Sequence, residues 1–382
     1  MRLLGSGLSR TDVAPRLRDI VAEMYRNVPA GVGASRRDLK LSVSELRGVL
    51  EGGAAWAVKR GFGRADDLER IEEGGRLGGA DPDRVSARAA ERGSDQLGTL
   101  GSGNHFAEVQ YVSEVYDEQV AAAFGLRLDE ITVMIHSGSR GLGHQVCEDH
   151  LKGMIAAARK YGIELPDRQL CCAPVGSPEG RAYLAAMAAA ANFAFANRQV
   201  MSHWVRDSVA RVMGMAPDRT GLETVYDVCH NIAKLETFTI DGTPRRACVH
   251  RKGATRAYPP GHPQTPGVYR DVGQPVLIPG DMGRYSYVLV GTERAHRDTF
   301  GSTCHGAGRR MSRAEAKRRA RGRSLFREME ARGVEVMAAG MATVAEEMPE
   351  AYKDVAEVVR VVHEAGISTR VAQLKPIGVI KG

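Results

Sequence analysis

Four histidines in this chain sit inside runs that a packed core would not choose. His105 lies in LGTLGSGNHFAEVQ (Leu97–Gln110) and His136 in MIHSGSRGLGHQ (Met134–Gln145). His230 lies in Cys229-His230-Asn231, and His305 in Ser302-Thr303-Cys304-His305-Gly306-Ala307-Gly308-Arg309-Arg310. Glycine lets a backbone take positive φ and approach a ligand closely, at a cost in conformational entropy. Four such clusters demand a fold that brings loops together around something. Imidazole binds borderline metals or acts as a nucleophile. Neighbouring asparagine and arginine can hold phosphate oxygens. The pattern points to metal-assisted phosphoryl transfer.

The rest of the chain sets limits on that reading. At 382 residues it is long enough for one large domain or two ordinary ones. No run approaches the roughly 18 apolar residues of a membrane span. The six cysteines form no C-x-x-C pair, which makes a reducing cytoplasm the expected compartment. A formal charge of +7 leans weakly towards polyanions and does not by itself select RNA.

Coarse periodicity predicts an α+β fold. Met1–Leu4 reads as the end of a strand. Thr11–Arg26 reads as a helix with Leu17, Ile20, Val21 and Met24 on one face and Asp12 as its cap. Ser42–Arg60 reads as one helix or two, and Arg64–Glu73 as a solvated helix inside an insertion, flexible or helical, over residues 61–94. Phe106–Val112, Ile131–Ile135, Thr224–His230, Cys248–Lys252, Val276–Ile278, Tyr285–Gly291 and Leu374–Ile380 have strand composition. Arg181 to about Val212 reads as a long helix, broken near Asn197. Arg310–Ala331 reads as helical, as does Tyr352–Ala365. There is no β-α-β period, no P-loop and no internal repeat.

His105, His136 and His230 each end a plausible strand and are the candidate metal ligands. Their separations match no zinc-finger spacing, so structural histidines remain the alternative. The donor type does not select among manganese, iron and zinc. His305 is a candidate nucleophile, with a second metal site or a helix cap as its alternative. Asn104, Asn231, Arg140, Arg251, Lys252 and Arg309 are candidate phosphate binders. Arg251–Arg256 resembles a phosphate loop without the Walker spacing; the alternative is a charged surface loop. Lys381 follows an apolar strand, which would tuck its ammonium inward.

At these residues the sequence resembles the RtcB family of RNA ligases. GSGNHFAEVQ, HSGSRGLGHQ, CHNIAKLE, VHRKGATRAYP, STCHGAGRRMSR and KPIGVIKG occur in the family's order, and the resemblance runs over residues 1–382. It implies a single large catalytic domain, with central mixed or antiparallel sheets flanked by helices. It implies GTP and two manganese ions, with His305 guanylylated at Nε2 and His105, His136 and His230 as metal ligands. Phe106, Glu108, Asp281, Ser286, Tyr352 and Lys381 would line the nucleotide pocket, with Gly306, Ala307 and Gly308 beside the nucleophile. Asn104, Asn231 and Arg309 would lie around the phosphates. The substrate implied is RNA, such as tRNA halves, and not DNA or a membrane. An archease-like activator is the partner such enzymes use.

Two departures qualify the resemblance. Family members carry an aspartate and a metal-bridging cysteine just upstream of the stretch matching Met1-Arg2. The domain is therefore expected to be N-terminally incomplete, and to bind manganese and GTP more weakly than a full-length relative. The pocket commonly has serine where Asp281 stands; a carboxylate there would repel phosphate or accept from a guanine edge. Two rival functions remain, a catalytically impaired RNA-binding relative and a metal-dependent RNA phosphoesterase.

Overall fold

A computed structural model describes all of residues 1–382. Twelve strands form along the chain: β1 (Arg2–Ser9), β2 (Phe106–Val115), β3 (Glu130–His136), β4 (Glu223–Asp227), β5 (Asn231–Ile240), β6 (Thr243–Lys252), β7 (Ala254–Arg256), β8 (Pro275–Ile278), β9 (Ser286–Gly291), β10 (Ser302–Cys304), β11 (Glu335–Ala338) and β12 (Ser368–Lys381). The central sheet has eight of them in the order β4-β1-β3-β2-β12-β9-β8, with β11 alongside β12. Only the β11–β12 pair is parallel. Two separate two-stranded sheets, the β5–β6 hairpin and the β7–β10 pair, complete the strands. The architecture is α+β, as expected.

The central sheet buries both faces, which is why β3 reads as a near-continuous apolar run, broken only by Thr132, instead of an alternating one. Met134, Leu3, Phe106 and Leu374 join one core. Val133, Ile135, Leu4 and Ala107 join the other, beneath the helices Leu17–Asn27 and Pro178–Met213. β12 is long enough to serve two neighbours on one edge. Ser368–Leu374 pairs with β9 and Gly378–Lys381 with β11, while β2 runs along its other edge.

Several local expectations need correction. Ser9, not Asp12, caps the first helical turn; Asp12 is its reciprocal partner three residues on, completing a capping box. A 3-10 turn at Ala14–Arg16 then interrupts the helix, and Leu17–Asn27 follows. Ser42 caps Val43–Lys59 in the same way. That helix breaks at Gly53 (φ 56°), where any Cβ would collide with the Gly75 carbonyl. Gly322 splits the arginine-rich stretch into Arg313–Ala320 and Leu325–Ala331.

The long helix Pro178–Met213 does not break near Asn197. Asparagine favours breaks because its amide competes for nearby backbone. Here the amide is used across the fold instead. Its Oδ1 accepts from the Gly98 and Thr99 amides, and its Nδ2 donates to the Thr99 and Gly138 carbonyls and to Ser137 Oγ. One buried side chain thus clamps the two glycine-rich loops against each other.

Residues 61–94 fold into 3-10 turns at Asp66–Arg70, Glu72–Gly75 and Pro82–Arg84 and a short helix at Ala87–Gly93. Arg64–Glu73 is not a solvated helix. Asp67 and Glu72 are buried, because each meets cations from the body of the domain: Asp67 meets Arg206, and Glu72 meets Lys234 and Arg256.

Candidate functional site

Strand pairing brings the four histidines together. β2 and β3 are antiparallel with Phe106 opposite His136, so His105, one residue earlier, arrives at the same end. His230 immediately precedes β5 and His305 immediately follows β10. Gly253 ties these two by its backbone: its amide donates to the His230 carbonyl at 3.0 Å, and its carbonyl accepts from the His305 amide at 3.1 Å. The His136 and His230 Nε2 atoms are 3.3 Å apart. The His230 and His305 rings stack with centroids 3.8 Å apart and 12° between planes. His105 lies at the margin, its ring 5.8 Å from that of His136. Gly101, at φ +98°, makes room: a Cβ there would strike His105 Nδ1 and the Arg140 guanidinium.

His136 and His305 are buried, His105 and His230 half-buried, and the cluster is electrically unfinished. Burial pushes His105 and His305 down to about 3, with Arg140 and Lys381 adding to the effect at His105. Burial, and then the neighbouring imidazoles, hold His136 and His230 well below the ordinary imidazole value. All four rings are therefore neutral near pH 7. His105 Nδ1, His230 Nδ1 and both ring nitrogens of His305 are buried without a hydrogen-bond partner. Buried polar atoms are normally satisfied, so such a set marks a place where something else binds. Nitrogens of His136, His230 and His305 lie within 4.8 Å of one another, close enough to share a cation. Neutral imidazoles with free lone pairs fit a borderline divalent metal.

Beside the cluster, one sheet face carries a row of buried polar groups. Phe106 meets His136 edge-on, with ring centroids 5.3 Å apart. Glu108, two residues along, is buried, and burial pushes its carboxyl up to about 8. Gln110 Nε2 donates to Glu108 at 2.9 Å and to Ser286 Oγ at 3.1 Å, and Ser286 Oγ also accepts from the Gly280 amide. Lys381, opposite Phe106 on β12, holds its ammonium 5.4 Å from the Phe106 ring. Burial lowers its pKa, against the pull of Glu347, Glu108 and Asp281.

Glu347 organises the far side and carried no signal in the sequence beyond a Glu-Glu step before Met348-Pro349. Its buried carboxylate takes Arg309 Nη1 at 3.1 Å, accepts from the Tyr352 hydroxyl, and lies 3.9 Å from Lys381 Nζ. Tyr352 is pushed up by burial and then by that carboxylate. Arg309 also donates to the Tyr352 hydroxyl and to the Glu346 and Met311 carbonyls, so each of its three nitrogens is engaged and one Nη2 hydrogen stays free.

The other candidates separate. Asn104 and Asn231 are exposed at the rim, where Asn231 Oδ1 accepts from Lys252 Nζ at 3.4 Å. Gly306 and Gly308 flank the buried Ala307 immediately after His305. Asp281 is buried with Arg284 Nε at 2.6 Å. Arg140 donates to Thr99 Oγ1 beside the cluster. Arg251 faces no open phosphate site. It is buried in a two-pronged pair with Glu236, and its spare donors go to Ser302 and the Phe300 carbonyl. Sequence reading also missed Arg198, whose Nη1 donates to the Ser137 carbonyl just after His136.

A family model described as tRNA-splicing ligase RtcB matches residues 1–382. A protein of that name from Archaeoglobus fulgidus is 56% identical over 382 residues, covering 100% of this chain and 79% of its own length. The one from Thermococcus kodakarensis is 54% identical, again covering 100% of this chain and 79% of its own length. A third, from Pyrococcus furiosus, is 55% identical over 383 residues; there the whole chain spans 39% of the relative.

Proposed function

This chain belongs to the RtcB family, and on that footing we propose that it is an RNA ligase that joins 3′-phosphate or 2′,3′-cyclic-phosphate ends to 5′-hydroxyl ends at the expense of GTP. The observation that carries the reading is His305: buried, neutral, with both ring nitrogens unbonded, and stacked on His230. A neutral imidazole with a free lone pair is what nucleophilic attack requires.

In this reading His305 Nε2 forms a bond to the α-phosphorus of GTP as the bond to pyrophosphate breaks. A cyclic phosphate end is opened by water to a 3′-phosphate. An oxygen of that 3′-phosphate takes GMP from the imidazole, giving RNA-(3′)pp(5′)G and restoring His305. The 5′-hydroxyl of the second strand then attacks the 3′-phosphorus and displaces GMP. Manganese held by His105, His136 and His230 supplies Lewis-acid polarisation of phosphoryl oxygens when bound. Phe106, Glu108, Asp281, Ser286, Tyr352 and Lys381 serve the guanosine. Glu108, protonated near neutral pH, both donates and accepts there. Asn104 and Asn231 meet phosphates from the rim, with Gly306–Gly308 giving close approach. Arg309 offers a phosphate one Nη2 hydrogen, and more only if its pair with Glu347 opens. An archease-like activator belongs to the same reading.

One observation favours a second role for His305. Its ring nitrogens fall in the tight triad with His136 and His230, while His105 stands apart, so His305 can itself be a metal ligand. Incubation with labelled GTP and manganese, then denaturing electrophoresis, and manganese calorimetry in parallel, separate the two. The nucleophile reading expects His305→Ala to lose the GMP adduct at least ~1,000-fold and to keep manganese affinity within about threefold. Labelled adduct on the variant would end it. Loss of manganese binding together with the adduct would make His305 a ligand.

A further inference from the structure

The β5–β6 hairpin treats charge in opposite ways on its two faces. On the inner face Lys234, Glu236 and Arg251 are buried and paired: Arg251 with Glu236 at 2.8 Å, and Lys234 with Glu72 at 2.8 Å. The register sets the outer face, with Arg246 opposite Thr237, Cys248 opposite Leu235, His250 opposite Ala233 and Lys252 opposite Asn231. Arg246, His250 and Lys252 are exposed there, while Arg245, opposite Phe238, is exposed on the other face beside the turn. Their cross-strand neighbours are all uncharged. Of Arg245, Arg246 and Lys252, only Lys252 makes a side-chain hydrogen bond, to Asn231, and none meets a carboxylate. The row ends at Lys252-Gly253, and the Gly253 backbone is bonded to both His230 and His305.

We propose that this outer face is a track for the phosphodiester backbone of single-stranded RNA, leading the strand's end to the histidine cluster. The proposal rests on the ligase reading and adds to it the surface that holds the substrate. Cations that bind a polyanion are best left unpaired by the protein, because binding then releases counterions without first breaking an internal pair. Alternate strand residues stand ~6.7 Å apart, so Arg246, His250 and Lys252 lie along one line, with Arg246 and Lys252 ~20 Å apart at its ends. An extended polyanion laid along that line meets a cation at each end, and the uncharged neighbours between offer it no repulsion.

The test is the affinity of a 5′-hydroxyl oligouridylate for wild type, for Arg246→Gln/Lys252→Gln, and for Arg88→Gln/Arg159→Gln. The last pair removes the same charge from exposed helical positions elsewhere. The hairpin variant is expected to bind about tenfold more weakly at ~50 mM salt, with its log–log salt slope smaller by about 1.4, at ~0.7 per cation lost. The control variant is expected to stay within about twofold. Equal weakening in both, or none in the hairpin variant, overturns the track. So does loss of binding to anionic lipid vesicles while RNA affinity is unchanged. GMP uptake by wild type is scored separately. An adduct with RNA affinity indifferent to the hairpin removes the track alone. No adduct with hairpin-dependent RNA affinity removes the ligase reading alone.

Discussion

Two buried polar regions lie near β4 and obey opposite rules. In the first, every carboxylate is answered by cations, and only Arg2 Nη2 lacks a partner. Asp67 accepts from both Arg206 Nη atoms, Thr224 and Gln199. Asp227 holds Arg198 and Arg2. Burial, which opposes ionisation, is outweighed at Asp67 by Arg206, so its carboxyl stays well below the usual range. In the second region, the histidine cluster, four buried ring nitrogens have no partner. Desolvation costs both regions; only the first offsets it internally. A closed network holds shape, while an open one keeps its lone pairs for a ligand.

Removing a member of the closed network should have the largest effect on stability. Asp67→Ala strands Arg206 in the interior and is expected to cost about 3–5 kcal/mol in denaturant unfolding. A loss under ~1 kcal/mol would mean that the network is not the brace the geometry makes it. Glu108 gives an intermediate effect through pH. Its folded pKa of about 8 lies above the ordinary 4.5, so the folded state binds more protons between those values. Stability from this group is whole below about 4.5 and is lost as pH rises through about 8. Glu108→Gln should therefore unfold later than wild type at pH 9, by up to a few kcal/mol, with the gap closing towards pH 4.5. A gap that is constant with pH would place the carboxyl in water. The smallest stability effect belongs to the open cluster. His230→Asn, in the metal-free protein, should change stability by no more than ~1 kcal/mol, because Nδ1 has no partner and only the Nε2 contact with His136 is lost. The same change should weaken manganese binding at least tenfold by calorimetry. A large stability loss would show that the cluster is structural after all.

The histidine clusters were legible because glycine, asparagine and histidine in one short run have few structural uses. Lys381 was legible because it follows Pro376–Ile380, an apolar strand that had to be buried. Asn197 was misread: local competition for backbone argues for a break, and only the neighbouring loops show that its amide is spent elsewhere. Arg64–Glu73 was misread for a related reason. Its charges look solvated until Arg206, Lys234 and Arg256, far away in sequence, are seen to neutralise them. Glu347 was invisible because a glutamate before a proline has no distinctive neighbours.

By itself, the order of residues determined most strands of the central sheet, the loops that must stay close to a ligand, and the family. Those properties depend on near neighbours and on side-chain period. Tertiary structure alone decided which polar groups are answered and which are left open. It placed His305 against His230, engaged Arg309 with Glu347, and closed Arg251 on Glu236. Partners many residues apart meet only when the sheet assembles, and electrostatics in a low-dielectric interior depend on distances that no local pattern contains.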